Sequence, residues 1–322
     1  MDENVILSFC IPTYNRANRV CECVNEILKY KGNEIEVVVS DNNSPDSTYE
    51  DLKKISDSRF FYYRNDSNLG VGKNVINTFK KAKGKYVFLM SDEDFVNIEL
   101  IPKILEILKS NKGLSILTGS IQFKESQKYY WRYKNSFFKK GSQALLGFAF
   151  KKNYFSGSIY NKELIDFDNI WNDLYVCKAY PNLCVEVLLC LKGDVHTIAN
   201  PICFYAEQEK ESYIDKLKGK NFNDFEPRLE QHRDFTQIVK GIEIDFVTKV
   251  NLYAFLCYKL IYNVSIIKQI KNKKNEEMLD LLARAKQFAM ENIFEIAIEN
   301  SVVMKLENYI EQVFNQFAAP YL

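Results

Sequence analysis

Four short apolar runs open the chain, and each breaks off into a polar cluster. Val5 to Ile11 leads to Pro12-Thr13-Tyr14-Asn15-Arg16, and Ile35 to Val39 leads to Ser40-Asp41-Asn42-Asn43-Ser44. Phe60 to Tyr63 leads to Arg64 through Gly70, and Tyr86 to Met90 to Ser91-Asp92-Glu93-Asp94. Runs of this length between turn formers predict strands. The unbroken apolar run Tyr86 to Met90 predicts a strand covered on both faces, as inside a parallel sheet. Helical spacing fills the gaps: Val20, Val24, Ile27 and Leu28 after Asn18 as N-cap, then Tyr49 to Ile55, Val71 to Ala82 and Asn97 to Ser110. Strand–helix alternation of this kind predicts an α/β fold with a doubly wound parallel sheet. The polar clusters all follow strands, so they converge on the carboxyl edge, where such sheets bind ligands.

The last cluster carries the strongest chemical signal. Three unpaired acids are too costly to bury, so Asp92, Glu93 and Asp94 are expected at the strand's end, where a cation relieves their repulsion. Carboxylate oxygens suit Mg²⁺ or Mn²⁺, with phosphate and water completing the shell. A solvated acidic turn capping the next helix is the competing expectation. The other clusters offer complementary groups. Pro12-Thr13-Tyr14-Asn15-Arg16 supplies hydroxyl and backbone donors, a flat ring and a guanidinium, which suit a base and phosphates. Asp41 is placed to accept from a ribose hydroxyl or a base N–H, or simply to close an Asx-turn. Asn68-Leu69-Gly70 opens a helix whose first turn holds Lys73-Asn74, near free N–H groups that attract phosphate. Neither a Gly-x-Gly-x-x-Gly run nor a Walker lysine occurs, which removes the usual dinucleotide and P-loop readings.

Composition narrows the class. A chain of 322 residues allows one large domain or two ordinary ones, and 47% hydrophobic with 26% charged residues supports a full core under an ordinary soluble surface. Lys+Arg at 43 against Asp+Glu at 42 gives a net charge of +1, which argues against a dedicated nucleic-acid binder. The eight cysteines lie mostly in apolar runs without a Cys-x-x-Cys, and predict buried, reduced thiols in a cytosolic protein. With two histidines in the chain, any metal is expected on oxygen. Met1-Asp2-Glu3-Asn4 has no basic n-region, so a cytoplasmic location is expected.

In this order the clusters resemble the motifs of the family-2 glycosyltransferases with the GT-A fold. Ile11-Pro12-Thr13-Tyr14-Asn15-Arg16 is similar to their opening loop, and Val37 to Ser44 to their second strand with its Asp and Ser/Asn-rich turn. Asn68-Leu69-Gly70 followed by Lys73-Asn74 resembles an Asn-x-Gly…Arg-Asn segment, with Lys for Arg. Ala82 to Leu89 leads to the acids as theirs does, although the common Asp-Ser-Asp-Asp form stands here as Met90-Ser91-Asp92-Glu93-Asp94. The likeness is tight over about the first third of the chain and loose to about Tyr205.

The resemblance implies a GT-A, mixed but mainly parallel sheet flanked by helices, in a domain of residues 1–220, with a helical region at 221–322. Residues 1–95 would form the nucleotide half, and 96–220 the acceptor half and a lid loop. By resemblance, Pro12, Thr13, Tyr14, Asn15, Arg16, Asp41, Asn43, Asn68, Gly70, Lys73 and Asp92 hold the nucleotide of a nucleotide-sugar donor. Asp92 and Asp94 place the diphosphate through Mn²⁺ or Mg²⁺, with Asp94 favoured as ligand and Asp92 bridging or binding sugar. UDP is the nucleotide expected, and a saccharide or lipid-linked saccharide of a surface glycan the acceptor. An inverting transfer needs a carboxylate to take the acceptor's proton. Where the family carries Glu-Asp, this chain has Pro181-Asn182, so Glu186, one turn on, and Asp173 become the candidates, with Asp166 and Asp168 behind them.

Phe123 to Tyr133 is rich in aromatics, which suit sugar C–H faces or a core. Phe155 to Lys162 resembles the family's Gly-containing strand flooring the acceptor site, and Gly193 to Pro201 its closing strand. The charged stretch Glu207 to Gly219 suits a lid, with Lys210 able to reach diphosphate or stay solvated. Helical spacing runs from Phe222 to Leu322, and Lys249 and Lys259 interrupt its most apolar segment, so no membrane span is expected. The mixed apolar and basic run Ile266 to Lys274 suits peripheral contact with an anionic membrane; packing on the catalytic domain or a homodimer contact are the other roles for this region. Two rival functions remain: a nucleotidyltransferase, and an inactive nucleotide-sugar-binding or assembly protein.

Overall fold

The four apolar runs are strands β1 (Leu7–Thr13), β2 (Ile35–Asp41), β3 (Phe60–Arg64) and β4 (Tyr86–Leu89). They run parallel in the order β3-β2-β1-β4. Every residue of β2 and β4 is buried, as the apolar Val37 to Val39 and Tyr86 to Leu89 require, and in β2 the polar Glu36, Ser40 and Asp41 are buried with them. The computed structural model describes residues 5–152, 154–169, 181–205, 224–267, 272–297 and 299–322. These fall into two compact units, one up to Tyr205 and one from Asp224 on. The division expected at residue 220 falls outside the described residues.

Helices α1 (Ala17–Ile27), α2 (Thr48–Leu52) and α3 (Val71–Lys81) connect the parallel strands, and α4 (Ile101–Ser110) follows β4 and the short strand β5 (Phe95–Val96). Leu7, Phe9 and Ile11 of β1 join Val37 and Val39 of β2 in one core with Val20, Val24 and Ile27 of α1 and Ile101, Ile104 and Leu105 of α4. Side chains alternate across a strand, so Cys10 faces the other way, and its thiol meets the carbonyl of Thr78 in α3 at 3.9 Å. Each such fully buried apolar side chain contributes about 1.5–3 kcal/mol. Helix α1 starts at Ala17 with Arg16 in the cap position, two residues before the expected cap Asn18. The carboxylate of Asp46 accepts from the Ala17 N–H at 3.2 Å, so the helix is capped from a distant loop.

Beyond β4 the sheet continues with β9 (Ser158–Asn161), β6 (Leu114–Phe123), β10 (Asp194–Tyr205) and β5. β9 is antiparallel to both neighbours, β10 is parallel to β6, and β5 is antiparallel to β10. β7 (Tyr129–Trp131) pairs with β6, and β8 (Ser136–Phe138) with β10. Helices α5 (Ser142–Phe148) and α6 (Pro181–Lys192) complete this unit. The sheet is therefore mixed and mostly parallel. The carboxyl ends of β1, β2, β3, β4, β6 and β10 share one edge, whereas β9 runs away from it.

The second unit consists of α7 (Phe225–Gly241), α8 (Phe246–Ser265), α9 (Asn275–Glu291) and α10 (Asn300–Ala318), with short 3-10 turns. Phe235, Tyr253, Leu256, Leu282, Ala285 and Ile310 are buried in it. Asp245 caps α8, accepting from the Thr248 N–H at 2.8 Å. No helix among the described residues is long and apolar enough to cross a membrane. Much of the basic run Ile266 to Lys274, and the lid stretch with Lys210, lie outside the described residues. Cys10, Cys21, Cys23, Cys184, Cys190, Cys203 and Cys257 are free thiols, all but Cys21 buried, as expected.

Candidate active site at the carboxyl edge of the sheet

The loops after β1, β2, β3 and β4 meet at this edge, and hydrogen bonds weld them together. The Thr13 hydroxyl donates to Asp92 Oδ2 at 2.7 Å, and Arg16 Nη1 reaches Asp92 Oδ1 at 3.3 Å while also pairing with Glu93. Tyr14, 42% exposed, leaves a flat ring at the surface, and Asn15 adopts a left-handed backbone (φ 58°). Asn tolerates that conformation better than other L residues. The Asn15 N–H donates to Ser44 Oγ at 2.8 Å, tying the first loop to the second.

Asp41 lies inside that second loop instead of facing a ligand. Its Oδ1 accepts from the Ser44 N–H at 2.9 Å and from the Ser44 hydroxyl, and its Oδ2 accepts from the Tyr62 hydroxyl at 2.7 Å. Arg64 Nε stands 3.8 Å from Oδ2. The Asx-turn is thus what the side chain makes, and a carboxylate with no exposed surface positions the loop from beneath. Asn43, also left-handed (φ 64°), accepts from Arg64 and donates to the Asp66 carbonyl at 3.3 Å. Asn68 accepts from Asn42 Nδ2 at 2.8 Å and from the Gly70 N–H at 2.9 Å. Gly70 (φ 81°) then turns the chain into α3, where Lys73 is exposed in the first turn.

Asn74 links three elements. Its Oδ1 accepts from Ser40 and Asn65 at 2.7 and 2.9 Å, and its Nδ2 donates to the Ser40 carbonyl at 2.9 Å and to the Thr13 carbonyl at 3.4 Å. An amide carries both donors and acceptors, so one buried Asn can satisfy strand ends that have run out of ladder partners. Asn42, Ser44 and Asn74 stand in the quoted motifs, but nothing in their spacing separates a loop-builder from a ligand.

Asp94 is 1% exposed and Asp92 6%, so the structure buries two acids that sequence reasoning had kept out of the interior. Local partners make this tolerable. Asp94 accepts from the Tyr154 hydroxyl at 2.7 Å and from Ser156, whose hydroxyl in turn accepts from the Ser91 N–H at 2.7 Å. Compensation is incomplete: burial raises Asp92 to about 6, against the lowering effect of Arg16 and Thr13, and raises Asp94 to about 7, against Ser156 and Tyr154. Burial and the adjacent Asp94 charge keep Tyr154 protonated and hence a donor. Ser156 stands in the stretch that resembles the acceptor-site strand, but its bond to Asp94, and the role of Tyr154, were not legible in the sequence because a distant loop supplies both.

The expected bases fare differently. Glu186 is 1% exposed, and its Oε1 accepts from Ser158 and Tyr160 at 3.1 and 2.9 Å. Buried Lys152 donates to the same Ser158 hydroxyl at 2.9 Å. Among the described residues this carboxylate is a core group, held by side chains of β9 rather than open at the sheet edge. Asp166 and Asp168 follow β9, and β9 pairs Asn161 with Tyr86 at the start of β4, so both lie at the opposite edge of the sheet. Lys162, donating to the Ala82 carbonyl, marks the same far edge. Asp173 lies outside the described residues. Asn182 is at the correct edge, with Nδ2 3.4 Å from the Tyr154 carbonyl and a buried Oδ1 that finds no partner among the described residues.

A divalent cation fits the donor set at Asp92 and Asp94: two oxygen-only side chains, two residues apart, whose charge the protein leaves undercompensated. Among the described residues no group of three or more His, Cys, Asp or Glu could hold a metal alone, so the remaining positions fall to a ligand and water.

Comparison with known proteins agrees with this fold. The family model described as Glycosyl transferase family 2 matches residues 8–167. A Campylobacter jejuni GalNAc(5)-diNAcBac-PP-undecaprenol beta-1,3-glucosyltransferase is 24% identical over 297 residues, 86% of this chain and 92% of that protein. Other curated relatives match over shorter stretches, and the chain spans only 28% to 47% of the length of the first four. Among solved structures, S. aureus TarS 1-349 in complex with UDP-GlcNAc superposes with a TM-score of 0.66 at 14% identity, covering 98% of this chain and 91% of that one. The mannosyltransferase PcManGT from Pyrobaculum calidifontis, in complex with GDP-Man and Mn²⁺, gives 0.54 at 13% identity, covering 96% and 86%.

Proposed function

Because the chain belongs, through residues 8–167, to the family-2 glycosyltransferases, we propose that it transfers a sugar from a nucleotide-diphosphate donor, UDP-linked, to a saccharide or lipid-linked saccharide acceptor, with inversion. One observation carries the reading: Asp92 and Asp94 follow the carboxyl end of β4, with Asp92 tied through Thr13 and Arg16 to the loop after β1. Relatives and structural neighbours support it by name, since one acts on an undecaprenol-linked saccharide and another holds UDP-GlcNAc.

The residues divide the work as follows. The Tyr14 ring and the backbone of the Asn15 and Asn43 loops receive base and ribose, with Asp41 and Asn74 holding those loops in register. Lys73 and the first turn of α3 face the phosphates. Asp92 and Asp94 hold Mn²⁺ or Mg²⁺, which when bound supplies positive charge to the diphosphate leaving group. Arg16 keeps Asp92 ionised and oriented. Asp173 accepts the acceptor's proton, a role for which the buried Glu186 and the far-edge Asp166 and Asp168 are less suited.

Calorimetric titration of UDP and GDP, with and without Mn²⁺, tests the donor site. UDP binding that requires both the cation and Asp94 is expected. Nucleotide binding that ignores both would sink the assignment.

A further inference from the structure

The sheet brings three tyrosines from distant segments to the same edge as the acids. The antiparallel register pairs Phe95 with Phe204, so the next pair along is Asp94 and Tyr205. The parallel register sets Tyr205 beside Phe123, and β7 folds back on β6 to bring up Tyr130. Tyr154 arrives from the loop before β9. The rings of Tyr130 and Tyr205 are stacked, with centroids 5.3 Å apart and planes 3° from parallel. Tyr154 lies 4.8 Å from Tyr130 and 5.6 Å from Tyr205, and Phe123 meets Tyr130 and Tyr205 edge-on.

This cluster is not simply core. Tyr130 is 41% exposed, and Tyr154 and Tyr205 are half-buried. Tyr154 spans the gap between the shelf and the acids, its ring in the cluster and its hydroxyl on Asp94 at 2.7–2.8 Å. Strand order puts β1, with the proposed nucleotide loop, on one side of β4, and β6 and β10, with the shelf, on the other. At about 4.8 Å per strand, β10 stands about 19 Å from β1, so the shelf lies across the acids from the base-binding loops.

We propose that Tyr130, Tyr154 and Tyr205 form an acceptor subsite, an aromatic shelf that takes the C–H face of a pyranose ring and holds it beside Asp94. This rests on the transferase reading above. A pyranose has an apolar C–H face and a polar rim, and tyrosine offers a matching apolar face with a hydroxyl at its tip. With Tyr205 stacked behind it, the exposed Tyr130 ring offers the seat, and a pyranose on it lies beside Tyr154, whose hydroxyl meets Asp94.

The test is saturation-transfer NMR on the full chain with methyl β-D-glucopyranoside, methyl α-D-galactopyranoside and N-acetylglucosamine, beside calorimetry with UDP and Mn²⁺. Tyr130→Ala is expected to weaken pyranoside binding by about tenfold, with Tyr130→Trp restoring it and UDP affinity unchanged. Matched thermal melts separate lost binding from lost packing, since Tyr130 also contacts Phe123, Tyr154 and Tyr205. Unchanged pyranoside binding in Tyr130→Ala, a parallel loss of UDP affinity, or no saturation transfer to any of the three sugars overturns the subsite. Pyranoside binding that depends on Tyr130 in a chain that binds no nucleotide would uphold the shelf and fail the transferase reading.

Discussion

Two groups of buried carboxylates lie in the same α/β unit and behave in opposite ways. Glu186 sits behind the sheet with two hydroxyls on its carboxylate and the Lys152 ammonium one hydroxyl away, so its charge is answered from within. Asp92 and Asp94 sit at the sheet edge with partners too few to offset burial, and both are raised toward neutrality. A buried charge with an internal partner is part of the scaffold. One left undercompensated at the edge where α/β sheets bind ligands is a charge that a cation would neutralise. Glu186 and Asp94 cannot be distinguished by residue type, only by what the fold puts beside them.

The sharpest way to break this comparison is to remove the acids at the edge. The Asp92→Ala/Asp94→Ala double variant is expected to lose about 1,000-fold or more in transfer while folding normally, read by donor turnover and by circular dichroism. Full activity in it would end the metal proposal. Asp173→Asn is expected to lower kcat by about 100-fold or more with donor binding intact, as for a missing general base. An unchanged kcat would return the base to an unassigned carboxylate.

Glu186→Gln inverts the pattern. Chemical denaturation should show about 2 kcal/mol lost, because Lys152 then stays buried with less compensation, while turnover per folded molecule changes by less than about threefold. A large fall in kcat with stability unchanged would restore Glu186 to the chemistry.

His232, in the helical unit, extends the comparison to a cation. Buried between the rings of Tyr253 and Phe288, it is lowered from 6.5 to about 4, chiefly by burial. The unfolded chain therefore takes up a proton before the folded one does. The resulting stability is fully present above about pH 6.5 and is lost as pH falls toward 4, by about 3 kcal/mol at most. Urea melts across this range should show the slope, and His232→Phe should flatten it.

Much of the scaffold was written along the chain. Val37 to Val39 and Tyr86 to Leu89 are apolar at every position because both faces of their strands are covered, and that signal survives without coordinates. The turn formers after each strand likewise marked the edge where the loops meet. The cap of α1 was not legible, because Asp46 reaches it across a loop. Nor was the role of Asp41, whose carboxylate is equally suited to a ribose and to its own turn.

What the sequence determined by itself is local: strand and helix periods, an oxygen-only set of acids, and the order of motifs that resembles one family. Tertiary structure decided the rest. Antiparallel β9 carried Asp166 and Asp168 to the wrong edge, α6 sank Glu186 beside Lys152, and three strand registers gathered Tyr130, Tyr154 and Tyr205 next to Asp94. The physical reason is common to all three. The sign and strength of a buried group's interactions depend on neighbours brought together by strand direction and register, and neither is encoded in the spacing of residues along the chain.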